Sequence, residues 1–571
     1  METAMYMDFK VRIPADHGGV SKKSIKSGVY IYYSFGRIYK PDKKYNSPQT
    51  TTIGKWCEDD PEMMYPNQNF FKFFPDAEFP EEKRNSVRSG CLKLGAFLVI
   101  RKIIAGYHLD ERMDALIGKD SGLFLDLCAY SIITENNTGQ YYPDYAYNHP
   151  LFTQKMKVYS DTKVSDFLRD ITRDQSLAFQ EEWNESRDHR EKIYISYDST
   201  NKDCQAGDIE LAEIGHPKDG QDKPVINYSI AYDRDNSEPL FYEDYPGSIV
   251  DVSQLQYMLE KAKGYGYRNV GFILDRGYFS KKNIHFMDSC GYEFVIMVKG
   301  MKKFVKGLVL QVKGSFEDKR QYSIRRYQVS GTTVKARLYE ADEKERYFHI
   351  YFSEKKRTAE RETVESKIDR FADTLKKHEG TQYKVPENFN QYFDLIYYHE
   401  GQPDEKFMCA NERTDVIDRE IDLCGYFVII TSEKMTAEEA LDLYKSRDAS
   451  EKLFRGDKSY LGNHSYGTQT AEATHAKIFI EFVALIIRNR IYTSLRDRVE
   501  RSKKKQNYMT VPAAIRELEK IEMIRQPDGT YRLDHAVSAT QKEILSAFQM
   551  SAESIREQAR AIGDDIQKLE A

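Results

Sequence analysis

The sequence predicts a mixed α/β protein of several folded units, built around one sheet. Two observations carry this. At 571 residues, 40% of them hydrophobic and 31% charged, the chain is too long for one ordinary core and apolar enough to form several. From about residue 190, short apolar strands alternate with amphipathic helices, and a further apolar strand, GYFVIIT, follows a long polar interruption.

The composition excludes some classes. No apolar run reaches the ~18 residues that span a bilayer, and the nearest, LGAFLVIRKIIAG, is broken by Arg101 and Lys102. METAMYMDFK has no basic stretch leading into an apolar one, so export and a membrane partner are not expected. Seven scattered cysteines (57, 91, 128, 204, 290, 409 and 424) contain no CxxC pair, which suits free thiols in a cytoplasm. The net charge of −5 does not advertise a nucleic-acid binder, but phosphate contacts depend on local patches. Two patches qualify. Lys299, Lys302, Lys303 and Lys306 follow an apolar strand, and eight basic residues lie between Arg488 and Lys505 against Asp497 and Glu500.

Residues 1–85 read as strands and turns, VYIYYSFGRIYK and TTIGKWC among them, closed by the Pro-rich PNQNFFKFFPDAEFP. Residues 86–190 are helical in pattern, with Leu94, Phe97 and Leu98, then Leu123, Leu127 and Tyr130, on apolar faces; this layer is a candidate for docking or DNA contact. KIYISYD then reads as a strand ending in Asp198, and PVINYSIAYD and PLFYEDY as two more. A helix opens at Asp251 or Ser253, NVGFILD is a strand ending in Asp275, Ser280 opens a short helix, and EFVIMVK is the next strand. Three strands, helix, strand, helix, strand is the order of a ribonuclease H-like sheet.

Residues 301–424 break the pattern and read as a β-rich insertion of exposed antiparallel strands with one charged helix. GYFVIIT returns to the core, so 191–300 and 425–495 form a split catalytic domain in which IFIEFVALIIRNRI covers the sheet. Residues 496–571 are a basic linker, a helix with Pro512 in its first turn, a hairpin on Asp528-Gly529 and an amphipathic tail.

Thr436 to Lys458 reads as a helix opened by a capping box, Thr436 with Glu439. Tyr444, Arg447, Glu451 and Lys458 fall at about 0°, −60°, −20° and −40° around its axis, one narrow stripe. Alone, such a stripe is most often a solvated face with i,i+4 charge pairs. Asp198 and Asp275 at strand ends change that reading, because strand ends are where open α/β sheets collect ligands. With Glu451 they supply three carboxylates, and hard cations such as Mg2+ take such donors. Two such ions, about 3.5–4 Å apart, support in-line phosphoryl transfer without a tuned histidine.

Asp198 in YDST, Asp275 in ILDRGYFS and the Tyr-x2-Arg-x3-Glu-x6-Lys spacing resemble the DDE transposases of bacterial insertion sequences. The four-residue signature resembles the insertion-sequence-four superfamily, and GHPKDGQDKPVINYSIAYDRDNSEPLFYEDYPGS with GYFVIIT is most similar to its sixteen-thirty-four subgroup. The resemblance implies a ribonuclease H-like core with a β-rich insertion between the second Asp and the Glu. It implies that Asp198, Asp275 and Glu451 bind two Mg2+ ions, with Mn2+ as a substitute, for phosphodiester hydrolysis and transesterification. It also implies that Tyr444, Arg447 and Lys458 grip DNA phosphates. In some relatives an aromatic residue after the second Asp holds a flipped base; Tyr278 and Phe279 are the candidates here, with no tryptophan nearby. The implied partners are double-stranded DNA, as terminal inverted repeats and target, and a second copy of the chain on paired ends. The implied setting is a prokaryotic cytoplasm, at the nucleoid when DNA is bound. Two other readings stay open: a ribonuclease H-like nuclease without transposition, and a non-catalytic DNA-binding protein derived from a transposase.

Overall fold

The computed structural model describes residues 6–7, 9–41, 44–77, 88–187, 191–204, 209–214, 224–249, 251–448, 452–453, 456, 458, 461–462, 465–503, 506–526 and 530–570. The chain forms two compact units, Met1–Phe179 with Gly456–Ala571, and Gln180–Arg455. The sequence-based division placed the first boundary at 190 and kept 456–495 with the catalytic sheet, so both boundaries differ.

The first unit begins with strands β1 (Val11–Arg12), β2 (Val20–Ile25), β3 (Gly28–Lys40), β4 (Tyr45–Trp56) and β5 (Met63–Pro66), in the order β1-β5-β4-β3-β2. The Pro-rich stretch that closes the expected strands and turns contains helix α1 (Gln68–Phe73). Asn67 opens it: its side chain accepts from the N–H groups of Asn69 and Phe70 and caps the helix. Phe70 and Phe74 then fill the sheet's small core with Val11, Ile31, Ile53 and Met64. Strand β6 (Cys91–Lys93) and helices α2 (Gly95–Gly106), α3 (Leu109–Ile117), α4 (Ser121–Thr134), α5 (Tyr142–Asn148) and α6 (Asp161–Asp170) follow. Helix α7 (Arg173–Glu185) carries the chain into the second unit.

The second unit holds the main sheet. Its strands are β7 (Ile193–Cys204), β8 (Glu213–Ile214), β9 (Pro224–Asp233), β10 (Glu238–Pro246), then helix α8 (Asp251–Gly264), β11 (Val270–Leu274), helix α9 (Lys281–Ser289) and β12 (Glu293–Met297). Among these the spatial order is β10-β9-β7-β11-β12, with β8 beside β9. β9 is antiparallel to both neighbours, whereas β11 is parallel to β7 and to β12. Parallel neighbours need long crossovers, which α8 and α9 provide. Gly271 is required where β11 meets β7: a Cβ there would lie 2.4 Å from the Tyr194 ring.

The sheet runs further than the sequence suggested. After helix α10 (Lys302–Val312) come β13 (Ser323–Ile324), β14 (Val329–Arg337) and β15 (Glu345–Phe352). Residues 323–352, expected as exposed strands of an insertion, extend the main sheet in the order β12-β18-β15-β14-β13, where β18 is Tyr426–Thr431. The separate module is shorter. Helix α11 (Glu354–Lys377), the hairpin β16 (Phe393–Tyr398) and β17 (Lys406–Glu412), and helix α12 (Thr414–Ile421) share a core of Ile368, Leu375, Phe389, Tyr392, Phe393, Phe407 and Ile417.

Alternation along the strands divides the sheet's two faces. Phe294, Ile296, Val428, Ile430, Phe348 and Ile350 pack with Leu255, Met258, Leu259, Ile284 and Met287 from α8 and α9. Val295, Ile429 and Tyr351 face the other way and pack under helix α13 (Ala437–Ser446) through Ala437, Leu441 and Tyr444.

One buried polar residue in this sheet gives a pH-dependent prediction. His349 is fully buried; its Nε2 lies 3.0 Å from the Thr431 hydroxyl and its Nδ1 2.9 Å from that of Thr333. The Thr431 hydroxyl donates to the Glu433 carbonyl, so Nε2 donates to Thr431 and Nδ1 accepts from Thr333. Burial of this neutral ring pushes its pKa down to about 4 from 6.5, against a small opposing pull from Glu439. The unfolded chain takes up this proton near 6.5 and the folded chain only near 4. Stability from this residue is therefore complete above pH ~6.5 and is lost, on the order of 3 kcal/mol, as pH falls to ~4. Hydrogen exchange of the β14, β15 and β18 amides at matched pH values checks it. His349→Gln removes this part of the acid sensitivity; equal acid sensitivity in both proteins contradicts it.

In the returning part of the first unit, helix Ala471–Ser502 runs 32 residues. The expected separation into a sheet-covering helix and a basic linker does not hold: the run from Arg488 to Ser502 is the last part of this helix. It packs on α4 and α6, with Phe479 against Phe124 and Phe179, and is the core of the helical layer. Arg488 of the basic run is buried, and its guanidinium lies where a Cβ on Gly456 would be. Strands Glu522–Arg525 and Tyr531–Leu533 pair as the expected hairpin and add to β6; their turn at Asp528-Gly529 lies outside the described residues.

Candidate active site

β7 and β11 bring the two aspartates together. Their parallel register pairs Ile273 with Ser196 and Leu274 with Tyr197, so Asp198 and Asp275 are the next residues on strands ~4.8 Å apart. Contrary to the expectation from sequence, Asp198 does not end its strand. β7 continues to Cys204 because β9 keeps pairing with it, Asp198 opposite Ile230 through Asp203 opposite Val225. What ends at Asp198 is the parallel partner, since the chain turns after Leu274 into a short 3-10 helix, Arg276–Tyr278. Both carboxylates are half-buried at that step, and Asp198 Oδ1 accepts from the Ser199 N–H at 2.9 Å.

Helix α13 supplies the basic side chain. Its capping box forms as the sequence predicts: the Thr436 hydroxyl accepts from the Glu439 N–H, and the Glu439 carboxylate accepts from the Thr436 N–H at 2.7 Å. Ala437, Ala440, Leu441 and Tyr444 bury one face of the helix, and Asp442 accepts from the Tyr327 hydroxyl at 2.6 Å. The helix ends at Ser446. Its last turn sets the Tyr444 hydroxyl 3.5 Å from Asp275 Oδ1, and the next residue to cap it, Arg447, forms an ion pair with the same carboxylate.

The electrostatics follow from this geometry. Burial works against the charge on Asp275. The Arg447 guanidinium and the N–H groups of Arg276 and Gly277 more than offset it, holding the carboxyl below its usual range. Burial, with the Asp275 charge, pushes the Tyr444 phenol up to about 12, so it stays protonated. Burial alone would lower Arg447, but Tyr444, Asp275 and Asp198 together hold its pKa above the ordinary value.

Other sequence-predicted residues fall as follows. Glu451 lies outside the described residues. α13 stops at Ser446, so the unbroken helix expected from Thr436 to Lys458 is not what forms. Lys458 is helical and half-buried, in the other compact unit. Lys299, Lys302, Lys303 and Lys306 are exposed around the start of α10. Tyr278 is 2% exposed with its ring against Tyr197, whereas Phe279 beside it is half-buried. The Arg447–Asp275 pair was not foreseen; the resemblance implied a role for each residue but no contact between them.

Among the described residues no three His, Cys, Asp or Glu side chains are grouped closely enough to hold a metal ion. Asp198 and Asp275 provide hard oxygen donors at the same step of two adjacent strands, and Asp275 is kept ionised, so the described donors fit Mg2+ or Mn2+. Nothing soft or imidazole-like is needed.

Residues 196–487, just over half of the chain, match the family model described as the transposase DDE domain. The chain belongs to that family. The match includes both aspartates, Tyr444 and Arg447, and also the positions of Glu451 and Lys458. No curated protein matches the chain. Among solved structures, similarity is found to the piggyBac transposase synaptic complex with hairpin DNA: 9% identity over 66% of this chain and 57% of that one, TM-score 0.29. It is also found to the Mos1 transposase paired-end complex with left transposon end, at 13% identity over 40% and 65% of the two chains and TM-score 0.13. The Mos1 mariner paired-end complex with Mn gives 14% identity over 39% and 64%, TM-score 0.12. The chain thus spans less than two thirds of each of these structures. Among the described residues no helix is long and apolar enough to cross a membrane.

Proposed function

We propose that this chain is a DNA transposase of the insertion-sequence-four type, sixteen-thirty-four subgroup, which cuts DNA at transposon ends and joins the freed 3′-hydroxyl to target DNA. The observation that carries this is the pair Asp198 and Asp275, side by side on adjacent parallel strands with Arg447 on Asp275. The strand order supports it: numbered along the chain from β7, leaving out the short β8, the first five strands lie 3-2-1-4-5 with the second antiparallel, the arrangement of a ribonuclease H-like core.

Asp198, Asp275 and Glu451 would hold two Mg2+ ions, with Mn2+ able to replace them. Bound there, such ions supply neutralisation of phosphate charge and activation of the attacking oxygen. The protein's own groups do the rest. The buried face of α13 fixes Tyr444, and the Arg447 guanidinium one turn on stands at the Asp275 carboxylate before any substrate arrives. A phosphodiester entering there meets a planar donor fork suited to its oxygens. By the signature alone Lys458 is a further residue for a DNA phosphate, and the exposed lysines 299, 302 and 303 track the DNA further out. The protonated Tyr444 phenol is a donor at the same point. Tyr278, closed in the core, supports Tyr197 beneath the site, and a base-holding role for it requires this ring to swing out. Two copies on paired ends, in the cytoplasm of a prokaryote, complete the reading.

The test is a joining assay. A duplex carrying the inverted repeat that brackets the gene is incubated with supercoiled plasmid and Mg2+ or Mn2+. The expected product is the end covalently joined to plasmid. Nicking without joining would assign a nuclease instead, and neither reaction would leave a DNA-binding protein.

A further inference from the structure

A second surface, in the first unit, has the form of a groove-binding arm. β2 pairs with β3 only from Gly28 to Tyr33, and β5 pairs with β4 only from Gly54 to Trp56. Beyond these limits, apart from the Ser34 N–H donating to the Gly19 carbonyl, β3 and β4 pair only with each other among the described residues, from Ser34 opposite Thr50 to Lys40 opposite Tyr45. The result is a two-stranded ribbon roughly 24 Å long. Such a ribbon is marginal in water unless something covers it.

Its side chains say what would cover it. The register puts Arg37 and Tyr39 on one face and Ile38, Lys40 and Tyr45 on the other, so each face pairs a cation with an aromatic ring. Ile38, Tyr39 and Tyr45 are 51%, 59% and 50% exposed. Among the described residues no ion pair engages Arg37, Lys40 or, at the turn, Lys44. The charge is one-sided: residues 20–57 contain eight Lys or Arg against a single acid, Asp42, in a chain of net charge −5. Apolar partners would not meet these cations, whereas a polyanion with flat apolar edges meets both groups.

We propose that the paired strand segments Ser34–Lys40 and Tyr45–Thr50 insert into the major groove of duplex DNA, with Arg37, Lys40 and Lys44 on phosphates and Tyr39 and Tyr45 against sugars and base edges. The major groove, about 12 Å wide, admits a two-stranded β-ribbon. This rests on the reading of the chain as one that acts on DNA and names where, away from the carboxylates, the duplex is held.

The full-length protein is titrated in EDTA against a fluorescein-labelled duplex of mixed sequence, across a salt series. Arg37→Ala/Lys40→Ala/Lys44→Ala is expected to bind about tenfold or more weakly. Its dependence of log K on log salt should be shallower by roughly 0.9 per lost phosphate contact, about 2.7 in all. Tyr39→Ala/Tyr45→Ala is expected to weaken binding with the salt slope kept. Wild type should protect guanine N7 from methylation, and the triple variant should not. Unchanged affinity and slope in the triple variant overturn the proposal. So does tighter wild-type binding to polyglutamate than to duplex, lost in the triple variant, which would assign an acidic protein. Because no metal is present, a failure here is distinct from a failure of cleavage, which is read on the wild type with Mg2+ or Mn2+.

Discussion

Asp198→Asn and Asp275→Asn should each reduce metal-dependent cleavage of end-bearing DNA by at least about a thousandfold, the scale expected when a charge-stabilising group at the reacting phosphate is lost. Asn keeps the shape and one oxygen, so the β7–β11 register and the packing beneath it stay in place. End binding in EDTA should fall little, because the carboxylates contribute no attraction to phosphate. The two variants should also behave alike, since the two residues occupy equivalent steps on neighbouring strands. Gel-resolved cleavage with Mn2+ checks this. Wild-type turnover by Asp275→Asn would remove the residue from the site.

Arg447→Ala should have opposite effects on two measurements. The guanidinium and a divalent ion compete for the Asp275 carboxylate, whose charge Arg447 now offsets. Without it, Mn2+ should bind the DNA-free protein more tightly by calorimetry. Cleavage should nonetheless fall roughly 10–100-fold, the worth of one charge-assisted phosphate bond of about 1.5–3 kcal/mol. Arg447→Lys should restore the charge but not the fork, and recover only part of the activity. Weaker Mn2+ binding in Arg447→Ala would show that the arginine supports the ion rather than exchanging with it.

The local structure around the candidate site was legible because its signals are local. The capping box of α13 is set by Thr436 and Glu439 alone, and it forms. Asp198 and Asp275 stood out as acids closing apolar strands, and the register joins them. What was not legible depends on distant partners. β7 was ended at Asp198 because Ser199 to Asp203 reads as polar, yet Lys202 is fully buried with its Nζ 4.4 Å from the Tyr228 ring of β9. β15 was read as exposed for a similar reason. Its Arg346 pairs with Asp288 of α9, and its His349 is held between two threonines from β14 and β18. Polar residues satisfied across a sheet look like surface in a sequence. The run IFIEFVALII announced a buried helix, but apolar periodicity does not say which core receives it, and it serves the helical layer.

The central claim is that Asp198 and Asp275, with Glu451, form a divalent-metal centre for DNA chemistry. Crystals of the protein with end-bearing DNA and Mn2+, measured for anomalous scattering, test it most directly. The account predicts anomalous peaks between the carboxylates of Asp198 and Asp275, with Glu451 as a further ligand and Arg447 moved from Asp275 to phosphate. Mn2+ bound elsewhere on the chain, with these carboxylates bare at concentrations that support cleavage, would contradict it.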